Sequence, residues 1–127
     1  MRNILRAMSR KILSISYQEP LLRTRHMLLE QQGYHVTSAL GFTDAIALCR
    51  KGGFDPFVLG HSIPAHDKHE LIRTFRASCS APILSLRRHG EPDVDSAEYH
   101  LFPDDPRELL NQVAEVFASD DAKAQPN

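Results

Sequence analysis

The chain has 127 residues, 42% of them hydrophobic, which is enough for one domain with a core of its own and makes disulfide or metal staples unnecessary. Fifteen Lys plus Arg against sixteen Asp plus Glu give a formal charge of -1, so no long-range field draws the chain to nucleic acid or to an anionic membrane. Cys49 and Cys79 are the only cysteines, no CxxC pair or secretory segment accompanies them, and reduced thiols in the cytoplasm are expected.

The opening MRNILRAMSR, residues 1–10, is basic, and arginine interrupts its apolar run before it is long enough to span a bilayer; a flexible leader is expected. ILSIS at 12–16 is a short apolar run of strand type. PLLRTRHMLLEQQGY follows as a helix, with Pro20 at its opening and Gly33 at its close. HVTSAL at 35–40 alternates as a strand, and FTDAIALCRKGG reads as a helix ended by paired glycines. PFVLG at 56–60 is apolar throughout, as a strand covered on both faces would be.

KHELIRTFRA spaces Leu71, Ile72 and Phe75 for a third helix, PILSL at 82–86 is a fourth strand, and YHLF at 99–102 a fifth. In DDPRELLNQVAEVFAS, Asp105 can cap, Pro106 suits the first helical position and Glu108 completes a capping box. Leu109, Leu110, Val113, Val116 and Phe117 then form an apolar stripe. SDDAKAQPN, small and polar, is expected to be a disordered tail over 119–127.

Five strands alternating with helices predict an α/β protein: a parallel sheet in a three-layer α/β/α sandwich. Ligands of such sheets bind beyond the carboxyl ends of the strands. Ser16 and Tyr17, Gly60 and His61, Arg87 and Arg88, and Phe102 stand at those ends, and none is a carboxylate.

From about residue 11 to 118 the chain resembles the receiver (CheY-like) domain of bacterial response regulators. The residues that carry the likeness are KILSISYQEPLLR, FDPFVLGHSIPAHDKHEL, APILSL and YHLFPDDPRELL. The resemblance implies a flavodoxin-like sheet of order 2-1-3-4-5. It also implies a pocket in which two acids after strand one hold Mg²⁺, an aspartate after strand three accepts a phosphoryl group, a hydroxyl residue follows strand four and a lysine follows strand five. Here those positions match Ser16 and Tyr17, Gly60, Arg87 and Phe102, so all five are changed.

An acyl phosphate needs a carboxylate nucleophile, and its formation needs a hard cation held by oxygens. Gly60 has no side chain, and Ser16 and Tyr17 offer only neutral oxygens. Asp67, seven residues past Gly60, reads as a turn or cap. Three placements are open to Arg87: stacking on Tyr17, binding an external anion, or pointing into water beside Arg88. Phe102 would cover part of the vacated pocket with its ring. Only fifteen positions separate Arg87 from Phe102, and RHGEPDVDSAEY has no apolar stripe at helical spacing, so the helix between strands four and five is expected to be shortened or absent.

His61, His66 and His69, with His89 as a neighbour, match no compact zinc spacing and read as solvent-facing or locally bonded. No GxGxxG or GxxxxGK[ST] follows a strand. Ser62 follows His61 without an orienting acid, which argues against a nucleophilic enzyme. The expectation is a degenerate pseudo-receiver, not an enzyme, without cofactor or metal, cytoplasmic, acting through another signalling protein or through itself, with any homodimer using a non-standard surface. With no helix-turn-helix pattern or basic recognition helix after residue 118, no direct nucleic-acid or membrane role is expected. The alternative is a small-ligand or anion sensor that uses His61, Arg87 and Arg88 at the altered edge.

Overall fold

A computed structural model of the chain describes residues 10–87, 97, 99–101 and 106–124. The elements in order are β1 (Lys11–Ser16), α1 (Glu19–Gln31), β2 (His35–Leu40), α2 (Phe42–Lys51), β3 (Phe57–Leu59), α3 (Ala65–Ser78), β4 (Ile83–Leu86), β5 (Tyr99–Leu101) and α4 (Pro106–Ala124). All four strand pairings are parallel, in the order β2-β1-β3-β4-β5. This is the flavodoxin-like arrangement expected from the sequence.

Successive strand residues face opposite sides, so β1 to β4 each feed two cores. Leu13 and Ile15, Phe57 and Leu59, and Ile83 meet Ala45 and Cys49 of α2 and Leu71, Ile72 and Phe75 of α3. Phe57 stacks on Phe75 with ring centroids 4.4 Å apart. On the other side Ile12, Val36, Val58, Leu84 and Leu86 meet Leu29 of α1 and Leu109, Val113, Val116 and Phe117 of α4. At the amino edge Arg10 pairs with Asp55 at 2.8 Å and lies 4.7 Å over the Phe117 ring.

Two boundaries differ from the sequence reading. α3 begins at Ala65, about a turn before Lys68, with Pro64 as its N-cap residue, whose extended backbone suits helix entry. α4 runs on to Ala124, past the point where a disordered tail is expected from residue 119. The reason lies in the composition: the run from Asp120 through Ala124 holds two alanines and no helix breaker, and the next proline is Pro126. The expected leader, Asp105 as a cap, Phe102, and the segment in which a shortened helix is expected (88–96 and 98) lie outside the described residues.

Candidate functional site

The buried polar residues among those described are Ser14, Ser16, Arg25, Lys68 and Ser85. They gather toward the carboxyl ends of β1, β3 and β4. A parallel sheet with β1 and β3 at its centre changes strand order there, which is where such folds place ligands.

Gly60 follows β3, and its N–H donates to the carbonyl of Ile15 at 2.8 Å. That bond brings the two backbones so close that a Cβ at position 60 would lie 2.9 Å from the Ile15 oxygen. The same Cβ would stand 3.0 Å from Nη2 of Arg25 and 3.4 Å from Cβ of Ser16. Space that a side chain at 60 would use is thus taken by a guanidinium from α1.

Arg25 is 5% exposed. It sits at helical spacing between Leu22 and Leu29, the other buried positions of α1, so the face that packs on the sheet carries a cation. Its Nη1 donates to Ser14 Oγ at 3.0 Å and to the Ile15 carbonyl at 3.2 Å. Burial pushes the guanidinium down to about 10, still charged at neutral pH. Its hydrogen-bond partners among the described residues are all neutral oxygens.

Lys68 repeats this on the opposite face. It is 3% exposed, one turn before Leu71 and Ile72, and Nζ donates to Ser85 Oγ at 2.9 Å and to the Leu86 carbonyl at 2.7 Å. Ser14 of β1 and Ser85 of β4 thus each receive a basic side chain from the helix that covers them. A buried hydroxyl without a partner is costly, and these two have one.

A third set of bonds joins the loop after β1 to the loop after β3. Ser62 Oγ lies 3.2 Å from Ser16 Oγ and accepts the Tyr17 N–H at 3.0 Å. Ser16 Oγ also accepts the Gln18 N–H at 3.1 Å. The Tyr17 hydroxyl donates to Oδ2 of Asp67 at 2.7 Å. Burial, followed by the bond to Asp67 and its negative charge, raises the phenol above its ordinary value. Asp67 is therefore neither turn nor cap: it lies in the first turn of α3 but makes no capping bond, and it serves as the acceptor for Tyr17.

Of the residues singled out in the sequence, Ser16, Tyr17 and Gly60 come together around the β1–β3 cleft. His61 follows Gly60 and is half-buried. Arg87 directly follows β4, and its N–H donates to the Leu101 carbonyl at 2.8 Å, extending the β4–β5 ladder. Phe102 and Arg88 lie outside the described residues. Sequence reasoning missed Arg25, Lys68 and the bridging part of Ser62. Among the described residues no group of three or more His, Cys, Asp or Glu converges as a metal site. Cys49 is fully buried, which pushes its thiol up to about 12 and leaves it inert at neutral pH.

A five-stranded parallel sheet of this order is the flavodoxin-like fold that receiver domains share, and comparison with solved structures finds receiver domains of the same fold. Among 190 solved chains that match is a two-component response regulator from Clostridium difficile, 20% identical, covering 86% of this chain and 96% of that one at a TM-score of 0.75. A CheY-like receiver domain protein from Methanospirillum hungatei is 19% identical over 92% of this chain and 99% of that one, with a TM-score of 0.73. The response regulator TrrA from Thermotoga maritima, in complex with Mg²⁺ and BeF, is 16% identical over 84% and 98%, at 0.70. No family model and no curated protein matches the sequence. No helix among the described residues is long and apolar enough to cross a membrane.

Proposed function

We propose that the chain is a pseudo-receiver: a receiver-like module in cytoplasmic signal transduction that works by protein contact and takes no phosphoryl group. One observation carries this reading. The strand end that would present a phosphoacceptor carries Gly60, and a side chain there would meet the Ile15 carbonyl at 2.9 Å and Arg25 Nη2 at 3.0 Å. A carboxylate nucleophile is missing, and a buried cation holds its place. Ser16 and Tyr17 spend their polar atoms on Ser62, Gln18 and Asp67 and present no carboxylate for a hard divalent ion.

The partner in this reading is another signalling protein or a second copy of the chain, and the module is not an enzyme. The test is a titration of the isotopically labelled chain with beryllofluoride and Mg²⁺, together with intact mass after incubation with acetyl phosphate. The expected result is no saturable shift around Gly60 and no phosphoryl adduct. A saturable shift at Gly60 and Ser16 that depends on Mg²⁺ would overturn the reading. A shift produced by inorganic phosphate alone, confined to His61 and Arg87, would favour an anion sensor instead.

A further inference from the structure

α1 sets two consecutive residues, Arg25 and His26, over two serines that are register partners on adjacent strands, Ser14 of β1 and Ser38 of β2. Arg25 and Ser14 are buried and belong to the polar core already described. The outer pair is different. His26 Nδ1 lies 2.7 Å from Ser38 Oγ, and its other ring nitrogen, Nε2, lies 3.1 Å from Oε2 of Glu30, one helical turn further along α1.

Glu30 faces Nε2 as an ion-pair neighbour and not as a hydrogen-bond acceptor, and its negative charge there favours a ring hydrogen on Nε2 over a lone pair. In the neutral imidazole Nδ1 is then the lone-pair nitrogen, and the Ser38 hydroxyl is the donor in the 2.7 Å bond. A hydroxyl that donates to an imidazole, with a carboxylate beside the far ring nitrogen, is an arrangement that can make serine a nucleophile. β2 is an edge strand, and the site is open: the His26 side chain is 31% exposed, that of Glu30 is 50% exposed, and Ser38 is half-buried. An electrophile therefore reaches Ser38 without a change of fold.

We propose that Ser38 is a base-assisted nucleophile, with His26 as the base and Glu30 as the residue that holds the tautomer, and that it accepts an acyl group from activated acyl donors. Ser38 Oγ bonds to the acyl carbon while its proton passes to Nδ1 of His26. The bond from that carbon to the donor's leaving oxygen or sulfur breaks, and the leaving group departs with the electron pair and takes the proton from the imidazolium. The products are an acyl-serine ester and the free alcohol, phosphate or thiol, with no change of oxidation state. The inference is of one acylation per chain and does not depend on the pseudo-receiver reading, which rests on Gly60.

The probe is a fluorophosphonate, which reports base-assisted serines, applied to the full chain with the modified peptides mapped by mass spectrometry. Ser38 is expected to be modified ahead of Ser14, Ser16, Ser62 and Ser85. His26→Ala is expected to slow that labelling by about 100-fold, the low end of what a positioned base contributes, and imidazole in the buffer should restore part of the rate. Glu30→Gln should slow it less. Restoration by imidazole is a response that a merely structural His26 would not give. Labelling spread over the serines without preference for Ser38, or unchanged in folded His26→Ala, would overturn the proposal. If the variants do not fold, the peptide map of the unsubstituted chain decides alone.

Discussion

Gly60→Ala is the smallest change that tests the packing at the strand end. The added methyl would stand 2.9 Å from the Ile15 carbonyl oxygen, closer than a real Cβ tolerates, and 3.0 Å from Arg25 Nη2, tight enough that the guanidinium must give way by a few tenths of an ångström. The Ile15 oxygen is held by two donors, the Gly60 N–H and Arg25 Nη1, so it cannot retreat without loosening both. Backbone shift or withdrawal of the guanidinium follows, and overpacking of a tight core costs about 1–3 kcal/mol. Opposing it is the gain of about 0.4–1 kcal/mol that alanine brings by restricting the unfolded chain. The net expectation is a loss of about 1–2 kcal/mol, read from urea unfolding at unchanged slope. The same substitution in an Arg25→Met background should cost less by at least about 0.5 kcal/mol, since the flexible stem of methionine yields where the anchored guanidinium does not. A neutral or stabilising Gly60→Ala, or a cost that ignores the residue at 25, would refute the argument that Arg25 fills this space.

Lys68→Met should cost about 1–3 kcal/mol, because the buried Ser85 hydroxyl and Leu86 carbonyl lose their donor; urea unfolding measures it, and adding Ser85→Ala should recover part of the loss. Tyr17→Phe removes the bond to Asp67 at 2.7 Å and should cost about 1 kcal/mol near neutral pH. Its signature is the pH dependence. The folded phenol is raised above its ordinary value of 10.0, so as pH climbs past that value the unfolded chain loses the proton first and the folded state loses stability. The advantage of tyrosine over phenylalanine is therefore whole below about pH 9 and shrinks above about pH 10. An unfolding free-energy difference between the two chains that stays level to about pH 11 would contradict the Asp67 contact.

The strands were legible because burial leaves them little choice of composition. HVTSAL predicts β2 to the residue, and ILSIS, PFVLG and PILSL each fall within a residue or two of β1, β3 and β4. The site was legible only by its gaps. Gly60 marks a missing side chain, but nothing adjacent in sequence says that Arg25 occupies the space, since the two come together only through α1 packing on β1 and β2 and through the pairing of β1 with β3. Two local anomalies did carry the signal. Ser14 and Ser85 each end the tripeptide ILS inside an apolar strand, where a hydroxyl must find a partner. Arg25 and Lys68 each sit on the apolar stripe of their helix, in step with Leu22 and Leu29 or with Leu71, Ile72 and Phe75. Taken singly, each basic residue reads as a snorkelling surface side chain and each serine as a tolerated polar neighbour; pairing a misplaced base with a misplaced hydroxyl predicts both contacts. Asp67 was misread for a different reason. Its partner Tyr17 is fifty positions away, and the helix that carries it starts earlier than the apolar spacing suggests.

The glycine at 60 and the arginine at 25 make sense only together. An acid at the end of β3 beside a buried guanidinium would pair with it, and a carboxylate held by a bidentate cation is neither a free nucleophile nor a free metal ligand. Restoring the acid alone would thus leave the edge without the chemistry of phosphoryl transfer, because Arg25 would claim it and because Ser16 and Tyr17 supply no charge to hold a divalent ion. The bonds from Ser62 and Asp67 to Ser16 and Tyr17 act in the same direction. They join the β1 and β3 loops by direct side-chain contacts that need no bound ion, whereas a ligand-driven switch requires two arrangements that the ligand tells apart. On the pseudo-receiver proposal, these bonds would leave a phosphoryl donor no second arrangement to select.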